Sequence, residues 1–139
     1  MNSPYKLLQL ALAVFGVVAL LLYPLAAVWP SGWAWHAGPP HDSQYFMMIV
    51  GLYLTIGVFL INAARKPEEN ISFIWFVVWS SVVHAVIMAV QSFGGHHMEH
   101  MGHLWGDVPA LLIMAVVLAV LVRAADLEPV GENRSRQPS

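Results

Sequence analysis

Residues 71–91 read ISFIWFVVWSSVVHAVIMAVQ, a stretch without a single Asp, Glu, Lys or Arg. A helix needs about 20 residues to cross a hydrocarbon core of about 30 Å, so this run is long enough to span a bilayer. Its apolar residues surround the helix axis instead of marking one face, as suits a helix that meets both lipid and other helices. Unpaired backbone groups are costly in lipid, which restricts spanning segments to helices or closed barrels. The alternation of apolar and polar residues that barrel strands display is absent. Three further runs share this character, at 7–28, 45–64 and 108–125. The sequence therefore predicts an all-α integral membrane protein, an antiparallel bundle of four transmembrane helices within residues 1–125. A polar tail, 126–139, follows and is expected to be disordered.

Composition agrees with this reading. Of 139 residues, 58% are hydrophobic and 10% charged, whereas soluble domains carry about a quarter charged residues. The lipid bilayer is thus the expected surrounding. A net charge of −2 leaves no basic footprint for nucleic acid. The chain has no cysteine, which excludes disulfides, thiolate metal sites, iron–sulfur clusters and cysteine catalysis within it.

The helix boundaries carry their own signals. Lys6 and the small-residue-rich stretch Leu25-Ala26-Ala27 give the first run a likeness to a signal peptide, but it exceeds the roughly 7–15 apolar residues of such segments. It is read as a helix, kinked near its end by Pro24. Trp29, Pro30, Trp33 and Trp35 then form an interfacial belt. Arg65-Lys66-Pro67 stops the second helix, Asn70 caps the third, Gly94-Gly95 ends it, and Asp107 with Val108-Pro109 is read as the N-cap and first turn of the fourth. All six Lys and Arg residues flank the N-terminus, the second loop or the C-terminus, while loops 29–44 and 92–107 contain none. The positive-inside rule then places both termini and the second loop in the cytoplasm and the other two loops outside.

The candidate chemistry gathers on that outer side, where His36, His41, His96, His97, His100 and His103 fall. Wound into a helix, His96, Glu99, His100 and His103 would share one face, and Asp107 would extend the stripe. Imidazoles and carboxylates suit zinc or copper, and Met98 and Met101 add thioethers suited to Cu(I). Glycines at 94, 95, 102 and 106 weaken the helix and equally allow a loop to wrap an ion. The plainer alternative is a polar loop that happens to be histidine-rich; pH sensing is a third option. His96-His97-Met98-Glu99-His100 also fits the H-x-x-E-H protease pattern, but no soluble domain is present to form a substrate cleft.

His84 is the sharper position, because ionisable residues inside a membrane are expensive and point to function. It lies about 12 Å below the outer end of its helix, counting back from Ser92. With Ser80, Ser81, Met88 and Gln91 it forms one stripe expected to face the bundle interior, where Asp107 approaches it. The competing role for that stripe is hydrogen bonding that holds helices together. Haem ligation is weaker, since only one histidine is deep; retinal chemistry lacks a lysine in any span. Tyr53 and Thr55 are assigned to packing, and Asn62 is separate from the stripe. No residue is assigned a catalytic role, and whether the chain is an enzyme stays open.

Several segments carry a resemblance. Trp29-Pro30-Ser31-Gly32-Trp33, Gly57-Val58-Phe59-Leu60, Trp79-Ser80-Ser81-Val82-Val83-His84, and His103-Leu104 with Gly106-Asp107-Val108-Pro109-Ala110-Leu111 are similar to a family of small bacterial four-helix membrane proteins classed as a domain of unknown function. The resemblance spans about residues 20–123. It implies a bacterial inner-membrane location and the four-helix fold, without an activity, and its motifs carry His84, His103 and Asp107.

Three functions follow as expectations. The first is binding of copper or zinc at the outer mouth, with His84, His103 and Asp107 as an inner site and His96, His97, Glu99 and His100 gathering the ion. The second is a non-catalytic subunit of a larger membrane complex or homo-oligomer. The third is a redox subunit that binds a cofactor through His84.

Overall fold

The computed structural model describes residues 3–33, 39–94 and 104–127. The described residues are helical or in turns, with no strand among them. The helices are α1 (Ser3–Leu20), α2 (Leu22–Val28), α3 (Pro30–Trp33), α4 (Gln44–Ala63), α5 (Ile71–Gly94) and α6 (Asp107–Ala124), with short 3-10 turns at Pro40–Asp42 and Pro67–Glu69. Four of them, α1, α4, α5 and α6, are long and apolar enough to cross a membrane. The expected runs thus match the observed helices to within a few residues, except that the first is split. The 126–139 tail falls almost wholly outside the described residues.

Pro24 accounts for the split. It has no N–H to offer the Leu20 carbonyl, and its ring crowds that carbonyl. The regular ladder accordingly ends at Leu20, and the chain restarts at Leu22 after Leu21. Leu21 still donates to Val17 at 3.0 Å, and Leu25 donates to Leu21 at 3.0 Å, so the interruption is a local kink. The second helix stops at Ala63 before Arg65-Lys66-Pro67, as expected. Asn70 precedes α5, but its side-chain amide donates backward to the Lys66 carbonyl at 2.9 Å.

The tightest packing lies toward one end. Leu8 and Leu12 of α1, Leu60 of α4, Ile74 of α5 and Leu118 of α6 are fully buried there. The same end collects the described basic residues. Tyr5 Oη donates to Glu68 Oε2 at 2.7 Å, and Gln9 Nε2 donates to the Arg65 carbonyl at 3.4 Å. These contacts set the start of α1 against the α4–α5 connection. Arg123, in the last turn of α6, sits 5.6 Å from the Trp75 ring centre, a cation–π contact that keeps the guanidinium near the start of α5.

Three helix pairs carry most of the packing: α1 with α4, α1 with α6, and α5 with α6. The α1–α4 crossing depends on two glycines. A Cβ placed on Gly57 would lie 2.8 Å from the Gly16 carbonyl oxygen, and one on Gly16 would lie 2.9 Å from the Gly57 carbonyl oxygen. Backbone meets backbone at this point, a close approach that small residues permit. The pair α4 and α5, consecutive in the chain, is not among the closely packed ones. They touch near their connection, where the Phe59 and Phe73 rings are 5.8 Å apart.

The Tyr5–Glu68 bond has a consequence in acid. Donation from Tyr5 holds the Glu68 carboxyl below its ordinary value of 4.5, aided by its own backbone N–H and by Lys66. A folded-state pKa below the unfolded one contributes stability that is present above the unfolded value and lost as pH falls through the folded one. Tyr5→Phe should therefore flatten the fall in thermal stability below about pH 4.5 while leaving the profile near pH 7 parallel to wild type. The effect should be small, since both groups contact solvent.

Candidate functional site

Counting residues along the two helices predicts a meeting that apolar patterning hides. Tyr53 lies about 13 Å into α4 from Gln44, and His84 lies about 12 Å back along α5 from Ser92. The two are at the same depth, and their side chains meet: Tyr53 Oη and His84 Nδ1 share a hydrogen bond of 2.9 Å, with ring centres 6.0 Å apart. Both residues are half-buried. Tyr53 is therefore more than the packing residue its apolar neighbours suggested. A phenol hydroxyl within an apolar span needs a polar partner, and that requirement, joined to the shared depth, was the available signal.

The bond bridges the gap between α4 and α5 and divides it. On the side of the α4–α5 connection lies a small hollow of about 100 Å³, lined by Ile56, Phe76, Val77, Ser81 and Met114 as well as the bridging pair. On the other side lies a chamber of about 660 Å³. Ser80, Tyr53 and His84 form its floor. Leu22, Trp33, Phe46 and Ile49 line one wall and Val83, Ile87, Met88 and Leu111 the other, while Gln91, Asp107 and Tyr45 bring polar groups to it. Trp33 is half-buried and packs with the cluster of Leu22, Ala26, Phe46 and Val50. It is thus part of the chamber wall.

The expected α5 stripe is partly confirmed. Ser81 and Met88 are buried, Ser80 and His84 are half-buried, and Gln91 is exposed while lining the chamber. The serines do not join helices, however. Ser81 Oγ donates to the Val77 carbonyl at 2.7 Å and Ser80 Oγ to the same carbonyl at 3.2 Å. A serine in a helix can satisfy its hydroxyl on its own preceding turn, and here both do. The stripe's interhelical hydrogen bond is the one made by His84.

Asp107 reaches the chamber as expected, but not as an N-cap. The cap position is taken by Gly106, whose carbonyl accepts from Ala110 at 3.3 Å. Asp107 becomes the first residue of α6 and is 7% exposed. Pro109 in the first turn needs no hydrogen-bond partner for a missing N–H.

The remaining candidate ligands, His96, His97, Glu99, His100 and His103, lie outside the described residues, as does His36. His41 is exposed, with Nε2 3.4 Å from the Asp42 carboxylate. Among the described residues, no group of three His, Asp or Glu side chains comes together as a metal site.

The site can hold a mainly apolar molecule of tens of atoms, and it offers a hydrogen-bonding floor. If Tyr53 donates to Nδ1, the other ring nitrogen of His84, which lines both the chamber and the hollow, carries the proton and is a donor. If Nδ1–H donates to Tyr53, Nε2 presents a lone pair. Asp107 adds an acceptor and Gln91 both functions.

A family model described as a family of unknown function (DUF6632) matches residues 2–138 of the chain. No curated protein matches the chain, and no solved structure does.

Proposed function

The chain belongs to the DUF6632 family of unknown function, and we propose that it is a membrane-embedded binding protein for a lipid-soluble small molecule, held in the chamber above the Tyr53–His84 bond. In this reading residues 1–125 form an antiparallel four-helix bundle within a bilayer. Lys6, Arg65, Lys66 and Arg123 mark the cytoplasmic end, so the chamber opens in the outer half of the membrane. The observation that carries the reading is the chamber itself. Its volume of about 660 Å³ falls within the roughly 300–1,000 Å³ of small-molecule pockets, and its lining has their character: apolar walls and a few convergent polar groups.

A second reading retains a copper or zinc ion. What favours it is the hydrogen bond on His84 Nδ1, since metal-bound imidazoles commonly use the other ring nitrogen in this way. His84 and Asp107 would be ligands, with His103 and the group of His96, His97, Glu99 and His100 completing or supplying the site. The size of the chamber favours the organic ligand over an ion.

The test is extraction. Protein carrying no histidine tag is purified in mild detergent and divided between organic extraction with mass spectrometry and metal analysis. Wild type should retain one apolar small molecule near stoichiometrically. Ile49→Trp, which places an indole in the chamber, should retain at least tenfold less at an unchanged helical content. Stoichiometric copper or zinc in place of an extractable molecule would decide for the ion.

A further inference from the structure

We infer that the chamber opens sideways into the bilayer between α4 and α5 and takes a quinone-class molecule, a flat six-membered ring with oxygens at two opposite positions and an apolar tail. This rests on the proposal that the chamber binds a lipid-soluble ligand, and it names the ligand's class and its route.

The route follows from the packing. The helices are joined in the order α4, α1, α6, α5, and the fourth side of the square, α4 against α5, is not closely packed. The two meet at Phe59 and Phe73 and again at Tyr53 and His84, and past that bond the chamber separates them. Val83 and Ile87 line the chamber, yet they are 55% and 50% exposed. Their side chains thus belong to the chamber wall and the outward surface together. In a bilayer that surface meets acyl chains, so a molecule dissolved in the lipid reaches the chamber without crossing a polar layer.

The class follows from where the polar groups stand. His84 and Gln91 are two helical turns apart on α5, about 10 Å, and both line the chamber. Ile87 and Met88 lie between them, an apolar surface suited to a ring face. A six-membered ring with opposed oxygens, and a hydrogen bond of about 2.8 Å at each end, spans that interval. One oxygen would accept from His84 Nε2–H, with Nδ1 held by Tyr53, and the other from the Gln91 amide. Among the described residues no Lys or Arg lines the chamber, and Asp107 does. An anionic head, such as a phosphate or a fatty carboxylate, would find no Lys or Arg among the described lining residues and would face the Asp107 side chain. An uncharged head avoids both penalties.

The experiment is equilibrium binding of a tritiated short-tail 1,4-benzoquinone to the full chain in phosphatidylcholine nanodiscs, with empty nanodiscs as the baseline. One saturable site per chain is expected. His84→Leu and Gln91→Leu should each weaken binding at least fivefold, with helical content unchanged. Val83→Trp combined with Ile87→Trp, which narrows the gap, should slow uptake at least tenfold. If palmitate or dodecanol displaces the quinone as well as unlabelled quinone does, the ring is not recognised and the class assignment is overturned. If the quinone fails to saturate while extraction still yields another apolar molecule, this inference falls and the chamber's binding role stands. If neither is found, both fall.

Discussion

His84→Leu is expected to destabilise the folded chain by about 1–2 kcal/mol and to empty the chamber. The stability loss comes from Tyr53, whose hydroxyl would stay in an apolar cleft without the Nδ1 partner that it has at 2.9 Å. Hydrogen bonds between helices in membranes contribute about 0.6–2 kcal/mol, and a hydroxyl left unsatisfied costs about 1–3 kcal/mol. Tyr53→Phe should cost a similar amount, by stranding the imidazole instead. The double variant Tyr53→Phe with His84→Leu removes both partners, so its loss should fall short of the sum of the two singles by about 1 kcal/mol. Unfolding in a denaturing detergent gradient measures all four forms. Strict additivity would mean that the bond contributes nothing. Ligand occupancy should behave differently from stability. His84→Leu and the double variant should both lose it, because neither keeps the imidazole that lines the chamber.

Gly57→Leu should have the largest effect on folding of any single change in α4, at least about 3 kcal/mol, toward the upper end of overpacking costs. The first added carbon already lies 2.8 Å from the Gly16 carbonyl oxygen, and Leu20 is 3.0 Å away on the same side. The obstructing atom is backbone, so it can yield only if α1 and α4 separate. Since α1 also links α4 to α6, their separation detaches α4 from the rest of the packed helices. Gly57→Ala should fall between wild type and leucine, while Gly51→Ala, which meets nothing within 4 Å, should be near neutral. Thermal unfolding of the three variants in one detergent checks the order. A Gly57→Leu protein as stable as wild type would show that the helices do not cross as closely as described.

The four long helices were legible because length and uniform apolarity are one-dimensional properties, and lipid leaves the backbone few alternatives. The same uniformity concealed how the helices face one another. With apolar residues all around each axis, nothing in α1 or α4 marked Gly16 and Gly57 as the point where the two backbones meet. Pro24 announced its kink because a missing N–H acts locally. His84 and Asp107 were visible as polar residues in apolar settings, and both line the chamber. Tyr53 was passed over because an aromatic ring in a span reads as apolar until its hydroxyl is given a depth. Asp107 was misplaced by one position, since Asp is a common cap and only the bond from Ala110 to the Gly106 carbonyl identifies glycine in that role. The chamber itself had no sequence signature. It arises from the loose packing of α4 on α5, a property of pairs of helices and not of either one.

A density map of the full chain in nanodiscs prepared without added ligand would show whether the chamber is occupied. Elongated non-protein density is expected in the chamber of about 660 Å³, with one end within hydrogen-bonding distance of His84 and the other leading outward between α4 and α5. A chamber closed by α4 packing along α5, or filled by the chain's own side chains, would contradict it.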